Sequence, residues 1–234
     1  MTLIQTTGTI HSITTLSPTA KEIVLKTEQP LTIVAGQFIN LFVEADGETH
    51  RRAYSIASAP GTTDTFSLAI RNNPHGKISK LFFEETDTEL KKRTFKIMGP
   101  LGMNTENKIT QDTVYLCGFG IGVSVVKAMT LGLLAREHPP VIHVLLGCRN
   151  RADMMYKDFF ENLADKNKIT IRYTIADDEG AAYPFVGYVQ QHINDYDFNN
   201  ALVYACGQEI ACASLQQAIQ EKTDTAQFMI EAFH

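Results

Sequence analysis

The chain has 234 residues, 44% of them hydrophobic, and a formal net charge of -5. That length buries a substantial core and accommodates two domains of about 100–130 residues each. The negative balance and the lack of a basic run exclude nucleic acid as the main partner, and no apolar stretch reaches the ~18 residues of a membrane span.

Residues 1–100 carry strand signals at short spacing. They alternate over 9–14, form a compact apolar run at 22–26, and mix apolar with polar residues over 37–43, after Gly36. Further strand signals lie at 51–58, 65–70 and 94–98. Six short strands separated by Gly, Pro and Asp turns predict an antiparallel barrel or sandwich. The stretch Arg51-Arg-Ala-Tyr-Ser-Ile-Ala-Ser58 lies between the turn signals Asp46-Gly47 and Pro60-Gly61. On a strand, Arg52 and Tyr54 share one face and Ser55 points to the other. A cation, a flat ring and a hydroxyl on one strand edge suit a flat ligand bearing phosphate. An ordinary half-exposed strand fits the same residues.

Asn73-Pro-His-Gly76 reads as a turn, with His75 a turn residue. Residues 77–84 follow with Ile78, Leu81 and Phe82 at helical spacing. Gly76 and Ser79 then lie at a helix start, where free N–H groups and the dipole favour an anion. Plain capping of a short helix explains them equally. Gly99-Pro-Leu-Gly102 predicts a tight turn. The polar run 103–111 marks the boundary, dividing the chain into domains at 1–103 and 111–234.

The rhythm then changes. Residues 113–117 form an apolar strand without alternation, as expected for a strand covered on both faces. Gly118-Phe-Gly-Ile-Gly122 follows, then a helix predicted over 123–137 and ended by Pro139-Pro140. The remaining pattern predicts strands at 141–146, 169–176, 201–205 and 227–230. Helices are predicted at 153–165, 185–193 and 208–222. Such alternation implies a parallel, doubly wound α/β sheet, with ligands at the C-terminal strand ends. There the glycines let a backbone approach a pyrophosphate, though Gly-x-Gly-x-Gly departs from the usual dinucleotide spacing. Arg149 and Arg151, after the second strand, can pair with a 2′-phosphate or stand solvated in the loop. No acidic residue directly follows that strand to bind a free ribose 2′-hydroxyl. Cys206-Gly207 closes the fourth strand. Cys117, Cys148, Cys206 and Cys212 fit no zinc or iron–sulfur spacing, so no metal site is expected. With no leader visible at the N-terminus, the chain is expected to be cytoplasmic with reduced thiols.

Together these features resemble the ferredoxin–NADP reductase superfamily over nearly the whole chain. The flavin motif Arg-x-Tyr/Phe-Ser/Thr is matched by Arg52, Tyr54 and Ser55. A second, Gly-x-x-Ser/Thr followed by leucine, is met by Gly76, Ser79 and Leu81. The Gly-Pro-Phe-Gly turn appears as Gly99-Pro-Leu-Gly102. The nicotinamide-domain loop resembles Gly118-Phe-Gly-Ile-Gly-Val-Ser124, with Val125 in place of a proline. Cys-Gly-x-x-x-Met becomes Cys206-Gly207 with Ala211 for methionine, and the terminal Glu-x-Phe is Glu231-Ala-Phe233.

The resemblance implies an antiparallel flavin barrel followed by an α/β NAD(P) domain. It implies bound FAD, and NADPH or NADH as substrate. Arg52, Ala53, Tyr54 and Ser55 would hold the flavin, with His75, Gly76, Lys77, Ile78 and Ser79 around its phosphates. Gly118, Gly120, Ile121, Gly122 and Ser124 would take the nucleotide pyrophosphate. Cys206, Gly207 and Phe233 would flank the nicotinamide and flavin, and Ser55, Cys206 and Glu231 would serve the chemistry. Arg149 and Arg151 favour NADPH. No fused ferredoxin cysteine set or globin module is visible, so the expected acceptor is a separate redox protein or a small molecule. The alternatives are a reductase of free flavin, a flavin-binding electron-transfer subunit, and a nucleotide-binding module without catalysis.

Overall fold

A computed structural model describes residues 3–45, 47–177 and 183–233; Asp46 of the expected turn lies outside them. The first half forms β1 (Ile4–Ser17), β2 (Ala20–Ile33), β3 (Phe38–Ala45), β4 (Glu48–Ser55), β5 (Gly61–Arg71) and β6 (Thr94–Leu101). They make one antiparallel sheet in the order β4-β3-β6-β1-β2-β5. An antiparallel bridge between Ile56 and Leu68 joins its two ends into a barrel. Inward residues such as Ile23, Leu25, Ile39, Leu41, Phe66 and Ile97 fill it. Helix α1 (Lys77–Glu84) buries Ile78, Leu81 and Phe82 against this core, and Phe82 stacks on Phe95. Helix α2 (Asp87–Lys92), which the pattern did not predict, is started by a Thr86/Glu89 capping box.

Gly99 and Pro100 do not turn. They continue β6, with Gly99 opposite Ile4 and Leu101 opposite Phe38. Gly102 follows with a φ of +118°, a left-handed backbone that suits glycine.

The second half is a parallel sheet of β7 (Thr113–Phe119), β8 (Val141–Cys148), β9 (Thr170–Ile175), β10 (Leu202–Gln208) and β11 (Gln227–Phe233). Their order is β11-β10-β7-β8-β9. α3 (Val123–Leu134) and α4 (Lys157–Asp165) cover one face; α5 (Glu209–Gln220) covers the other. Alternate residues of β7 therefore feed both cores, Val114 and Leu116 one, Tyr115 and Cys117 the other. The chain reverses its direction of travel between β7 and β10, which makes their C-terminal ends the expected crevice.

Four predicted helices are shorter than the periodicity suggests, α5 by three residues. α3 stops at Leu134, and just beyond it the Arg136 side chain donates to the main-chain oxygens of Glu106 and Ile109. α4 begins only at Lys157, after Tyr156 adopts a left-handed φ of +56°. Residues 185–193 hold only a 3-10 turn, Val189–His192; Val186 instead bridges Ile175, and Gly187 has a φ of +113°.

Candidate functional site at the junction of barrel and parallel sheet

β4 is hydrogen-bonded along one edge, to β3, with Ile39 opposite Tyr54 and Leu41 opposite Arg52. Among the described residues its other side meets β5 just past the strand end, at the Ile56–Leu68 bridge and the Ala57 N–H bond to Ser67 O, so the edge of β4 itself presents main-chain donors and acceptors. Arg52 and Ala53 are exposed, and the Tyr54 ring packs half-buried on the barrel core. Burial pushes the Tyr54 phenol up to about 12, partly offset by Arg52. The ring is thus a neutral flat surface beside a cation.

α1 starts without a side-chain cap. Its first backward bond runs from Lys80 N–H to Gly76 O at 3.0 Å, which leaves the amides of Lys77, Ile78 and Ser79 without helical acceptors. A Cβ on Gly76 would lie 2.7 Å from Ser79 Oγ, so a side chain here would displace that hydroxyl. The Ser79 hydroxyl differs from expectation. It accepts from Asn73 N–H at 3.2 Å and donates to Asn73 O at 3.1 Å, so it holds the turn and leaves only its amide for an anion. His75 is exposed, its N–H bonded to Asn73 Oδ1 at 3.0 Å. Lys77 reaches Glu48 at the start of β4, at 3.5 Å.

In the α/β half the glycines divide by role. A Cβ on Gly118 would press Leu146 and Val123 at 3.0 Å. One on Gly122 would overlap the Cys206 carbonyl, and one on Gly207 would lie 2.5 Å from Phe119 O. These three serve the close approach of β7, β10 and α3. Gly120 alone opens outward, with a φ of +55° and Arg71 Nη1 3.1 Å from its Cβ position. Ser124 is buried and donates to Ile121 O at 2.8 Å, closing the turn. Arg71 ends β5 and stands exposed over this loop. Sequence reading missed it, because a lone arginine after a strand looks like any surface charge.

The two halves meet at Glu231. Ser55 Oγ donates to Glu231 Oε1 at 2.9 Å, and Tyr204 OH donates to Oε2 at 2.7 Å. Glu231 is the register partner of Cys206. Ser55 of the barrel strand is thus tied, through Glu231, to the strand pair that holds Cys206. Burial raises the Glu231 carboxyl, and the bonds from Tyr204 and Ser55 pull it back. Cys206 itself is wholly buried, in the cluster against which Phe233 packs, and burial pushes its thiol well up. Its side chain lines no open surface, so the expected thiol contact with a ligand is not presented. Tyr204, unflagged by any motif, was within reach of reasoning: it lies two residues before Cys206, on the same strand face.

Arg149 and Arg151 lie apart, at the end of β8. Arg149 Nε is 3.3 Å from Asp177 Oδ2, with both side chains exposed. Asp177 follows β9, the strand beside β8, so an acidic residue reaches the loop from a neighbouring strand. The Arg151 guanidinium sits over the Tyr183 ring at 5.3 Å. On the loop's far side, Glu22 of β2 accepts from Lys127 Nζ at 2.9 Å and from Tyr156 OH at 3.0 Å. This cluster ties the barrel to α3 and to the start of α4.

The comparisons agree with this geometry. Residues 7–105 match the family model of the oxidoreductase FAD-binding domain, and residues 115–217 that of the oxidoreductase NAD-binding domain. The phenol hydroxylase P5 protein of Acinetobacter pittii (strain PHEA-2) is 31% identical over 212 residues, 87% of this chain and 58% of its own length. The reductase component of phenol 2-monooxygenase from Pseudomonas sp. (strain CF600) is 27% identical over 207 residues, 86% of this chain and 57% of its own. The chain therefore spans somewhat over half the length of these curated relatives. An Amycolatopsis cytochrome P450 reductase superposes with a TM-score of 0.85 at 20% identity, covering 99% of this chain and 70% of that one. With both family models matched in order on a barrel followed by a parallel sheet, the chain belongs to the ferredoxin–NADP reductase superfamily.

Proposed function

We propose that this protein is an NAD(P)H-dependent flavoprotein reductase that passes electrons to a separate acceptor. FAD held by this chain would supply hydride acceptance from a nicotinamide and onward electron transfer. The residues fit FAD. The open edge of β4 and the Tyr54 ring offer a flat platform, Arg52 a cation, and the uncapped amides of Lys77, Ile78 and Ser79 an anchor for phosphate. The Gly120 turn and Arg71 offer the same to a second diphosphate, that of the nucleotide.

Ser55 and Glu231 are set to move a proton. The hydroxyl hydrogen passes to Glu231 Oε1 as Ser55 Oγ takes another from the cleft, and the raised carboxyl makes Glu231 a competent acceptor. The protein otherwise contributes orientation and exclusion of water. Phe233 and the packed strand ends around Cys206 supply that exclusion.

The Arg149–Asp177 pair offers a donor to a 2′-phosphate and an acceptor to a 2′-hydroxyl. We read the chain as using both nucleotides, with Asp177 weighing against NADPH, the nucleotide that the two arginines favour. The relatives' names point to an oxygenase component or a ferredoxin-type protein as acceptor. Four free, buried cysteines support a reducing, cytoplasmic setting.

The observation that carries this reading is the Ser55–Glu231 bond, which joins the platform strand to the strand beside Cys206. Ferricyanide reduction by NADH or NADPH tests it. Turnover that falls at least tenfold in Ser55→Ala is expected; unchanged turnover refutes the assignment.

A further inference from the structure

Tyr204 is fully buried on β10, and its hydroxyl donates to Glu231 Oε2 at 2.7 Å. Ser55 holds the other oxygen from the barrel side. A carboxylate bonded through one oxygen swings about a broad terminal torsion. Donors on both oxygens, from strands of different halves, fix it in one orientation. Around this carboxylate lie Ser55 of β4, and Tyr204 and Cys206 of β10, with Cys212 of α5 behind them. None of these is a cation, so the charged form depends on its hydrogen-bond donors.

We propose that Tyr204 is a positioning residue that holds Glu231 toward Ser55 and sets the proton affinity of that carboxylate. The proposal rests on the reductase reading for its use in turnover. The clamp itself is a property of the apoprotein. A bond from a phenol to a carboxylate favours the ionised form, so its removal raises proton affinity. A tyrosine that only filled space would change stability and leave the titration of Glu231 where it was.

The test uses Tyr204→Phe, Glu231→Gln and the double variant. Glu231 is titrated in apoprotein carrying ¹³C in the glutamate carboxyls, its resonance assigned by its loss in Glu231→Gln. The pH profile of ferricyanide reduction is measured on the holoenzyme. Tyr204→Phe should move the Glu231 midpoint up by about one pH unit, roughly tenfold in proton affinity, and carry the acid limb of kcat with it. In the Glu231→Gln background the same change should move no limb. A midpoint that stays put in folded Tyr204→Phe overturns the proposal, as does a limb shift that persists without Glu231. A reciprocal measurement spares the tyrosine: the ¹³Cζ resonance of Tyr204 should respond to Glu231→Gln and to protonation of Glu231. No response overturns the proposal even if Tyr204→Phe fails to fold. Coupling present in the apoprotein, with no reduction of flavin by NAD(P)H, supports the clamp and refutes the reductase reading.

Discussion

Gly122→Ala separates two explanations of the glycine loop. If Gly122 exists to admit a pyrophosphate, the change weakens nucleotide binding and leaves the free protein alone. The structure argues otherwise. The new Cβ would overlap the Cys206 carbonyl oxygen, and would lie 2.5 Å from the carbonyl carbon and 2.9 Å from Gly207 N. All three are backbone atoms of a central strand, so no side chain can swing aside. Overpacking costs about 1–3 kcal/mol, and a rigid neighbour places this change at the upper end, about 3 kcal/mol. For a chain of this size that lowers Tm by roughly 6–12 °C. Gly120→Ala is the contrast. Its Cβ would meet the mobile end of Arg71 at 3.1 Å, and the left-handed backbone costs roughly 1–2 kcal/mol. It should lower Tm by about 2–8 °C yet raise the nucleotide KM more than Gly122→Ala does. Thermal melts of ligand-free protein decide the matter. A Gly122→Ala protein that melts within about 1–2 °C of the parent would refute the packing argument.

Glu231 gives a pH signature. Its carboxyl is raised in the folded state, so ionising it costs stability: the contribution is full below about pH 4, the unfolded range, and is lost as pH rises through the folded value. Glu231→Gln should therefore raise Tm near neutral pH and leave it unchanged in acid; a lower Tm at neutral pH contradicts this. At the clasp between halves, Lys127 and Glu22 are only 17% and 16% exposed. Lys127→Met should cost about 2–4 kcal/mol, nearer a buried pair than a surface one, as read from urea midpoints. Asp177→Asn should raise the ratio of kcat/KM for NADPH over NADH about fivefold, from removing one carboxylate beside the proposed 2′-phosphate position. Arg149→Ala with Arg151→Ala should raise KM for NADPH far more than for NADH, and equal effects on both would discard the 2′-phosphate role.

Where signals were local, the fold was legible. Every strand of both halves announced itself through apolar runs or alternation, because a strand needs only its own residues to show a face. The edge residues Arg52, Tyr54 and Ser55 were legible for the same reason. Long-range features were not. The reach of Asp177 to Arg149 depends on β9 lying beside β8. Arg71 matters only because the barrel places the end of β5 over Gly120. The fault at 153–165 was a backbone one, since apolar spacing cannot reveal the left-handed Tyr156. α2 carried a capping box, but six residues are too few for periodicity to register. Gly118, Gly122 and Gly207 were legible as special positions, but their packing role was not, because a glycine needed by the fold and one needed by a ligand look alike until the neighbouring backbone is in view.

The central claim is that one protein holds FAD on the barrel edge and reduces it with NAD(P)H bound to the parallel sheet. An anaerobic titration of the purified, FAD-loaded protein with NADH and with NADPH, followed by visible absorption, tests it most directly. The expected result is a flavin spectrum retained through gel filtration and bleached stoichiometrically by nucleotide. A protein that retains no FAD, or whose flavin band survives excess of both nucleotides, would contradict it.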